Sequence, residues 1–450
     1  MKILVCVKVI NGELNPFDES ALECALQLSK DVTVITMGPK SCEEVLKPLT
    51  RLGAKVILAT DSLYAGSDTL VTAYILSELI RKTEFDLILC GRQSVDGDTA
   101  QVGPMLAQML GVSLITNALS VQLSGEIVAA KTRVGEETTN LPALVTVERG
   151  YVLRFPSIFS KLGEVTAVDN NYIGCDAEKC GLNGSPTRVL QTFENQRGKR
   201  KCKFISKDEL LPLIAQLQNQ TAENETVSEQ TEKFETVWAV GDEVYEKALE
   251  IAENVIKIQK DTPESIAERA RKEQPSVILW NADLWGRKTA PQVAAILKTG
   301  LCADCTKLEA EGDTLIMYRP ARGGNVYAKI KCLTVPQMAT VRTKAESSDI
   351  IVSGGKGVID QIDAVKDFAK SLNADFCASR GLVDAGQAEY ECQVGLTGKM
   401  VSPKIYIAIG ISGAVHHTCA VEGADTVIAI NPDKDARIFE YADYGITEMF

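Results

Sequence analysis

Histidine is almost missing from this 450-residue chain: His416 and His417 are the only two, and they are neighbours. A Ser/His/Asp or Cys/His catalytic constellation supported by spacing is therefore lacking. Positive charge is also short, since 48 Lys and Arg face 60 Asp and Glu for a formal net charge of −12. That balance excludes a phosphate-backbone partner, so no nucleic-acid binding is expected. No apolar stretch approaches the roughly 20 residues that span a bilayer, and Met1-Lys2-Ile3-Leu4-Val5 reads as a strand rather than a signal peptide. The expectation is a cytoplasmic protein without membrane insertion. Thirteen cysteines, an odd number scattered without secretory features, exclude a disulfide framework and read as reduced thiols. The one C-x-x-C, Cys302-Ala303-Asp304-Cys305, lacks a second pair at zinc-site spacing and reads as incidental.

What is present is a long alternation of short apolar strands and amphipathic helices, the pattern of parallel sheets with helical crossovers. The spacing predicts strands from Ile3 to Val7, Val32 to Met37, Val56 to Ala59 and Leu87 to Cys90. Helices are expected from Asp18 to Leu28, Cys42 to Leu52 and Thr69 to Lys82. Past residue 185 the texture changes to a basic cluster (Arg197, Lys199, Arg200, Lys201, Lys203), a helix from Asp208 to Gln218 and a polar linker from Asn219 to Lys233.

Laid against itself with a shift of about 190 residues, the chain repeats. Asp86-Leu-Ile-Leu-Cys90 falls on Ser276-Val-Ile-Leu-Trp280, and Thr99-Ala100 on Thr289-Ala290. The helix Pro104 to Leu110 falls on Gln292 to Leu297, and Leu141-Pro-Ala-Leu-Val-Thr-Val147 on Val335-Pro-Gln-Met-Ala-Thr-Val341. Two similar folds facing each other across a pseudo-twofold axis would explain this order. The repeat ends near Arg342.

The last hundred residues carry two glycine-rich turns between a strand and a helix, the geometry that brings backbone N–H groups to phosphate oxygens. Gly354-Gly355-Lys356-Gly357 follows Asp349-Ile-Ile-Val-Ser353 and precedes a helix from Gln361 to Leu372; alone it is an incomplete fingerprint. Gly410-Ile411-Ser412-Gly413-Ala414 follows Ile405-Tyr-Ile-Ala-Ile409 and leads to both histidines, with Ser412 placed to cap a helix or donate to phosphate. Between them lie Ser379-Arg380 and Gln393-Val394-Gly395-Leu396-Thr397-Gly398-Lys399. Donors and positive charge here suit a flavin, whose N5 and O2 accept hydrogen bonds.

These segments, with Asn431 and Ala442-Asp-Tyr-Gly-Ile446, resemble the flavin domain of the electron-transfer flavoprotein alpha subunit. Residues 234 to 345, with Gly323-Gly324-Asn325 and Pro336-Gln-Met-Ala-Thr-Val-Arg342, resemble that subunit's N-terminal domain. Residues 1 to about 190 resemble the beta subunit, through Asn15-Pro16-Phe17-Asp18 and Gly91-Arg-Gln-Ser-Val-Asp-Gly-Asp-Thr-Ala-Gln-Val-Gly-Pro104. The resemblance implies two fused subunits and an α/β fold: two related nucleotide-binding-type domains plus a doubly wound FAD domain. The expected division is a beta-like domain 1–200, a helix and polar linker 201–233, an alpha-like domain 234–345 and a FAD-binding domain 346–450.

The resemblance implies FAD contacts from Lys356, Ser379, Arg380, Gln393, Val394, Gly395, Leu396, Thr397, Gly410, Ile411, Ser412, Gly413, Ala414, Val415, His416, His417 and Asn431. Arg380 would lie over the isoalloxazine ring, Thr397 would reach N5 and His417 the O2 carbonyl. It implies a second nucleotide near Cys6, Asn15, Phe17, Met37, Asp96, Gly97, Asp98, Thr99, Gln101, Val102 and Gly103. That nucleotide is AMP in many members and a second FAD in electron-bifurcating members, which oxidise NADH. A turn and an N-cap would produce the two aspartates equally well.

The implied role is an electron carrier between a flavin dehydrogenase, such as an acyl-CoA dehydrogenase of fatty acid oxidation, and a downstream acceptor. A bifurcating enzyme and a non-redox nucleotide-binding scaffold are the alternatives. Covalent fusion predicts a monomer.

Departures from the pattern are a shortened loop at Asn11 to Asn15, Leu396 for glutamine, Lys356 for arginine, no closing helix beyond Phe450, and a short connector from Arg342 to Asp349 that would limit rotation of the FAD domain. Arg154-Phe155-Pro156-Ser157-Ile158 weakly resembles the loop that docks dehydrogenases, with Phe155 at the anchor position.

Overall fold

A computed structural model describes residues 1–194, 200–218, 232–322, 326–343, 349–395, 398–421 and 423–450. Arg197, Lys199, nearly all of the expected linker, Gly323-Gly324-Asn325, the middle of the short connector, Leu396 and Thr397 lie outside the described residues. The fold is α/β, and the chain divides into two compact units. The first comprises Met1–Thr192, Gln230–Arg322 and Ala328–Val341; the second comprises Phe193–Glu229, Gly323–Tyr327 and Arg342–Phe450.

The first unit holds two parallel sheets. In one, seven strands run in the order Val165–Val168, Lys55–Ala59, Asp31–Met37, Lys2–Cys6, Leu87–Gly91, Ala143–Val147, Ser113–Ala118. In the other, five run Ala252–Ile258, Phe234–Val240, Val277–Asn281, Gln337–Val341, Leu301–Cys305. The last five strands of the first sheet and all five of the second follow one plan, so the sequence repeat is a repeat of topology. Strands such as Ala143–Val147 and Gln337–Val341 are buried along their whole length, as parallel strands covered on both faces must be. Helices Thr69–Ile80, Val102–Leu110, Pro263–Glu273 and Leu284–Leu297 contribute to one apolar core shared by both sheets.

The copies agree even in a defect. Asn117 (φ 60°) and Asp304 (φ 56°) adopt left-handed backbone at a bulge in corresponding strands. Each donates its N–H to a threonine hydroxyl on the neighbouring strand, Asn117 to Thr146 at 2.9 Å and Asp304 to Thr340 at 2.8 Å. Cys302 and Cys305 therefore sit on a bulged, buried strand, and burial pushes the Cys305 thiol well above its ordinary range.

Several local expectations change. Helix Pro16–Leu28 starts two residues early, because a proline at the first helical position loses no bond there. Cys42 to Leu52 is not one helix but the short turns Lys40–Cys42, Glu43–Leu46 and Lys47–Leu52; Pro48, which has no N–H to donate, accounts for the break. The trimmed segment at Asn11 is a two-residue hairpin turn between Val9–Ile10 and Glu13–Leu14, with Asn11 (φ 51°) and Gly12 (φ 83°) supplying the positive φ pair that such turns need.

In the second unit six parallel strands run in the order Lys203–Phe204, Tyr444–Ile446, Thr426–Ile430, Ile405–Ile409, Ile350–Gly354, Asp375–Ala378. Apolar clusters cover both faces, which makes the sheet doubly wound. The order in which strands are added reverses between Ile350–Gly354 and Ile405–Ile409, since the chain goes from Ile350–Gly354 to Asp375–Ala378 on one side and then to Ile405–Ile409 on the other. Ligands of such sheets bind outside the carboxyl ends of strands at that point. The stretch read as a helix beside a linker is built into this unit. Lys203–Phe204 is its edge strand, paired with Tyr444 and Gly445, and helix Leu210–Gln218 sends Leu210 and Ile214 into its core. Among the described residues no helix is long and apolar enough to cross a membrane.

Candidate functional site

In the second unit every expected flavin-contacting segment among the described residues is at, or follows, a strand's carboxyl end. Lys356 follows Ile350–Gly354, Ser379 and Arg380 follow Asp375–Ala378, Gly410 to His417 follow Ile405–Ile409, and Asn431 follows Thr426–Ile430. Gln393 and Val394 join the same edge through a bridge from Ala378 to Gln393 and a 2.9 Å bond from the Val394 N–H to the Ala378 carbonyl.

The two glycine turns lock into each other. The N–H groups of Gly355 and Gly357 donate to the carbonyls of Ile409 (2.8 Å) and Gly410 (3.0 Å). A Cβ at Gly355 would lie 2.1 Å from the Gly410 oxygen, so only glycine fits there. Those two amides are consumed inside the turn, which corrects the expectation that they face phosphate. Asn431 braces the assembly by donating from its amide to the Ile411 carbonyl at 3.0 Å.

Two further expectations are corrected. The helix after the second turn is only Val415–Thr418, Ala414 occupies its N-cap and no side chain caps it, so Ser412 is not a cap. His417 is buried and bonded on both nitrogens, Nδ1 with the Val394 carbonyl at 3.2 Å and Nε2 with the Tyr406 hydroxyl at 2.8 Å. A carbonyl only accepts, so Nδ1 carries the proton and Nε2 accepts from Tyr406. Burial, opposed by the Val394 bond, pulls the imidazole down to about 4. In this arrangement the neutral ring has no spare N–H for a flavin carbonyl. His416, beside it, is exposed.

Arg380 Nε meets the Asp384 carboxylate at 3.2 Å, one helical turn away. A pair of this exposure holds with about 0–1 kcal/mol, weakly enough for the guanidinium to turn toward a ligand. Lys356 is exposed next to it, its side chain 3.6 Å from where a Cβ on Gly381 would sit. Two cations on the carboxyl edge of a parallel sheet, beside interlocked glycine turns, fit the pyrophosphate and reduced ring of FAD.

The first unit carries a cavity of about 390 Å³ at the carboxyl ends of Lys2–Cys6 and Leu87–Gly91. Of the residues expected around a second nucleotide, Cys6, Asn15, Met37, Gly97, Thr99, Gln101, Val102 and Gly103 line it, whereas Phe17, Asp96 and Asp98 do not. Phe17 is buried between the guanidinium groups of Arg92 and Arg149, at 6.0 and 5.9 Å. Asp96 pairs with Lys8 at 2.7 Å; burial works against its ionised form and Lys8 outweighs it, holding the carboxyl below its usual range. Asp98 is buried at φ 51° and accepts from Gln93 at 2.9 Å, so both aspartates shape the turn and Gln101 takes the N-cap position.

Asn15 clamps this loop, donating to the Gln93 carbonyl at 2.9 Å and accepting from the Val95 N–H at 3.3 Å. Gln101 accepts from Thr69 at 2.8 Å and donates to the Leu301 carbonyl at 3.1 Å, which ties the two halves of the unit together. Sequence reasoning missed Asp18, Asp68, Thr69, Gln93 and Arg319, all of which line the cavity. Arg319 reaches the carbonyls of Gly97 (2.7 Å) and Asp98 (3.1 Å) from more than two hundred residues away, a contact that local pattern does not announce. Asp18 is legible in hindsight as one of three polar residues, with Ser20 and Glu23, that its helix buries. It accepts from the N–H groups of Lys8 (2.8 Å) and Gly91 (3.1 Å), yet burial, only partly opposed by those bonds, raises it to about 7.

A doubly wound sheet with cations at its switch point in one unit, and a repeated α/β fold with a nucleotide-sized cavity in the other, define a flavin-binding protein of the nucleotide-binding α/β class. Comparison with known proteins narrows this. Residues 3–170 and 239–367 match the Electron transfer flavoprotein domain, and residues 344–422 match the Electron transfer flavoprotein FAD-binding domain. The chain belongs to the electron transfer flavoprotein family.

Electron transfer flavoprotein subunit alpha of Thermoanaerobacterium thermosaccharolyticum is 40% identical over 229 residues, covering 40% of this chain and 69% of that protein. Electron transfer flavoprotein subunit beta of Megasphaera elsdenii is 36% identical over 235 residues, covering 43% of this chain and 87% of that protein. Protein FixB of Rhizobium meliloti is 35% identical over 221 residues, 38% of this chain and 63% of its own length. The chain thus spans about two thirds of the alpha-type relatives and most of the beta-type one, consistent with fused subunits in a protein that binds FAD and transfers electrons.

Proposed function

We propose that this protein is a single-chain electron carrier that takes electrons from a flavin dehydrogenase, such as an acyl-CoA dehydrogenase of fatty acid oxidation, and passes them to a downstream acceptor. The observation that carries the reading is the convergence of Lys356, Ser379, Arg380, Gln393, Val394, Gly410 to His416 and Asn431 on the carboxyl edge of one parallel sheet. FAD bound there supplies the redox chemistry, accepting and releasing electrons in single or paired steps. The chain's own residues bind and tune it. Lys356 and Arg380 would favour the anionic reduced ring electrostatically, and Thr397, outside the described residues, keeps the N5 role that the family resemblance implies. His416, in place of the doubly bonded His417, would be the histidine able to turn toward O2.

Docking falls to the loop around Phe155. Val152, Phe155, Ile158 and Phe159 are each between 85% and 95% exposed, four large apolar side chains on one loop, which suits a protein partner. The cavity of about 390 Å³ is at the low end for small-ligand sites, which suits AMP better than a complete second FAD. The protein works as a cytoplasmic monomer.

Anaerobic mixing tests this. An acyl-CoA dehydrogenase with its acyl-CoA should bleach the flavin within seconds while NADH alone leaves it oxidised. Bleaching by NADH alone would replace the carrier by the bifurcating reading, and a preparation that stays colourless with added FAD would leave only the scaffold.

A further inference from the structure

The loop that carries Phe155 combines solvent-exposed apolar side chains with a backbone tied down along its length. Glu23 is buried on helix Pro16–Leu28, and its carboxylate accepts from the Arg154 N–H at 3.1 Å, from Arg154 Nε at 2.9 Å and from Arg154 Nη2 at 2.7 Å. Gln27 adds a fourth donor at 2.9 Å. One turn earlier on the same helix, the Ser20 hydroxyl donates to the Glu148 carbonyl at 2.7 Å and accepts from the Tyr151 N–H at 3.1 Å. At the far end of the loop Arg51 donates to the carbonyls of Ser157 (3.1 Å) and Ser160 (3.3 Å), and the Thr50 hydroxyl accepts from the Gly163 N–H at 2.8 Å. Tyr151 and Leu153 turn inward onto the core while Val152 between them points out.

A loop left to itself would fold Phe155, Ile158 and Phe159 onto the nearest apolar surface. Here the backbone is fixed at residues 151, 154, 157, 160 and 163, so Phe155, Ile158 and Phe159 stay in solvent. We infer that Glu23 and Arg51 are positioning residues, which hold the Phe155 loop in the conformation that a dehydrogenase receives. Loop order is then paid for during folding instead of at each encounter, and association loses less conformational entropy. Burial pushes the Glu23 carboxyl up, but the bonds from Arg154 and Gln27 prevail and hold it below its usual range, so the anchor stays charged at neutral pH.

This inference rests on the docking reading, and two independent readouts keep them apart. Glu23→Ala, Arg51→Ala and Phe155→Ala are compared with the unaltered protein. In native-state digestion with chymotrypsin, Glu23→Ala and Arg51→Ala should be cut after Phe159, which precedes Ser160, about tenfold faster, with FAD content and visible spectrum unchanged. With an acyl-CoA dehydrogenase and its acyl-CoA as reductant, both should raise KM for this protein about fivefold and leave kcat within a factor of two. Glu23→Asp should restore part of both effects.

Cutting at the original rate in folded, flavin-loaded Glu23→Ala and Arg51→Ala overturns the inference. An unchanged KM for Phe155→Ala overturns the docking reading and with it the functional half of the inference, while accelerated cutting still establishes the anchors. Should Glu23→Ala fail to fold, Arg51→Ala, which bonds only to backbone carbonyls of the loop, decides by the same criteria.

Discussion

The two halves of the first unit share strand order, a bulge and a threonine that braces it, yet they differ where a ligand would sit. In the first half the chain leaves strand Leu87–Gly91, runs through a loop and starts its helix only at Val102, which leaves the cavity open. In the second half the helix starts at Leu284, so Thr289 and Ala290, the counterparts of Thr99 and Ala100, are buried inside it. Trp280 stands where Cys90 lines the cavity, fully buried and 5.9 Å from Trp285 between ring centres. Lys260 lies 5.6 Å over Trp285 and bonds Asp283. Duplicating a fold did not duplicate its site among the described residues: one copy keeps a loop and a small residue, and the other fills the space with about two extra helical turns and indole rings.

The largest way to break this comparison is to empty the filled half. Trp280→Ala should cost about 5 kcal/mol, the upper end for deleting a fully buried ring, read as a lower urea midpoint at unchanged slope. The open half is sharpened next through Asp18. Its pKa is raised from 3.8 to about 7, so between those values the unfolded chain has released a proton that the folded chain retains. Stability then falls as pH rises through that window, by about 4 kcal/mol for a shift of this size, and Asp18→Asn should remove that part of the pH dependence in urea titrations at pH 5 and 7.5.

His417 in the flavin unit supplies the opposite sign. With its pKa lowered from 6.5 to about 4, the unfolded chain holds the extra proton between those values, so its contribution is complete above 6.5 and disappears as pH falls toward 4. The loss is about 3 kcal/mol, and His417→Gln should flatten it. The smallest effect belongs to Thr69→Val, which deletes the hydroxyl bonded to Gln101 at 2.8 Å. It should cost about 1 kcal/mol and loosen the cavity wall without changing FAD content.

Much of this was legible because parallel sheets write themselves as apolar runs, as in Ile350–Gly354 and Ile405–Ile409, and because a repeat survives as a matched order of motifs. The glycine turns were legible as turns but not in their purpose. That Gly355 yields to the Gly410 carbonyl depends on two strands being neighbours, which spacing along one strand does not state. The same holds for Arg319 at the Gly97 loop, for Tyr406 under His417 and for Lys203–Phe204 at the sheet edge, each fixed by a partner far away in the chain. That Ser412 does not cap follows from a helix only four residues long with Ala414 at its N-cap, which residue type alone does not state.

The most direct test is to count nucleotides released from the purified protein and from Cys90→Trp, which carries the second half's residue into the first half's cavity. The unaltered protein should yield one FAD and one AMP per chain, and Cys90→Trp one FAD alone. Two FADs per chain, or an unchanged second nucleotide in Cys90→Trp, would contradict the account.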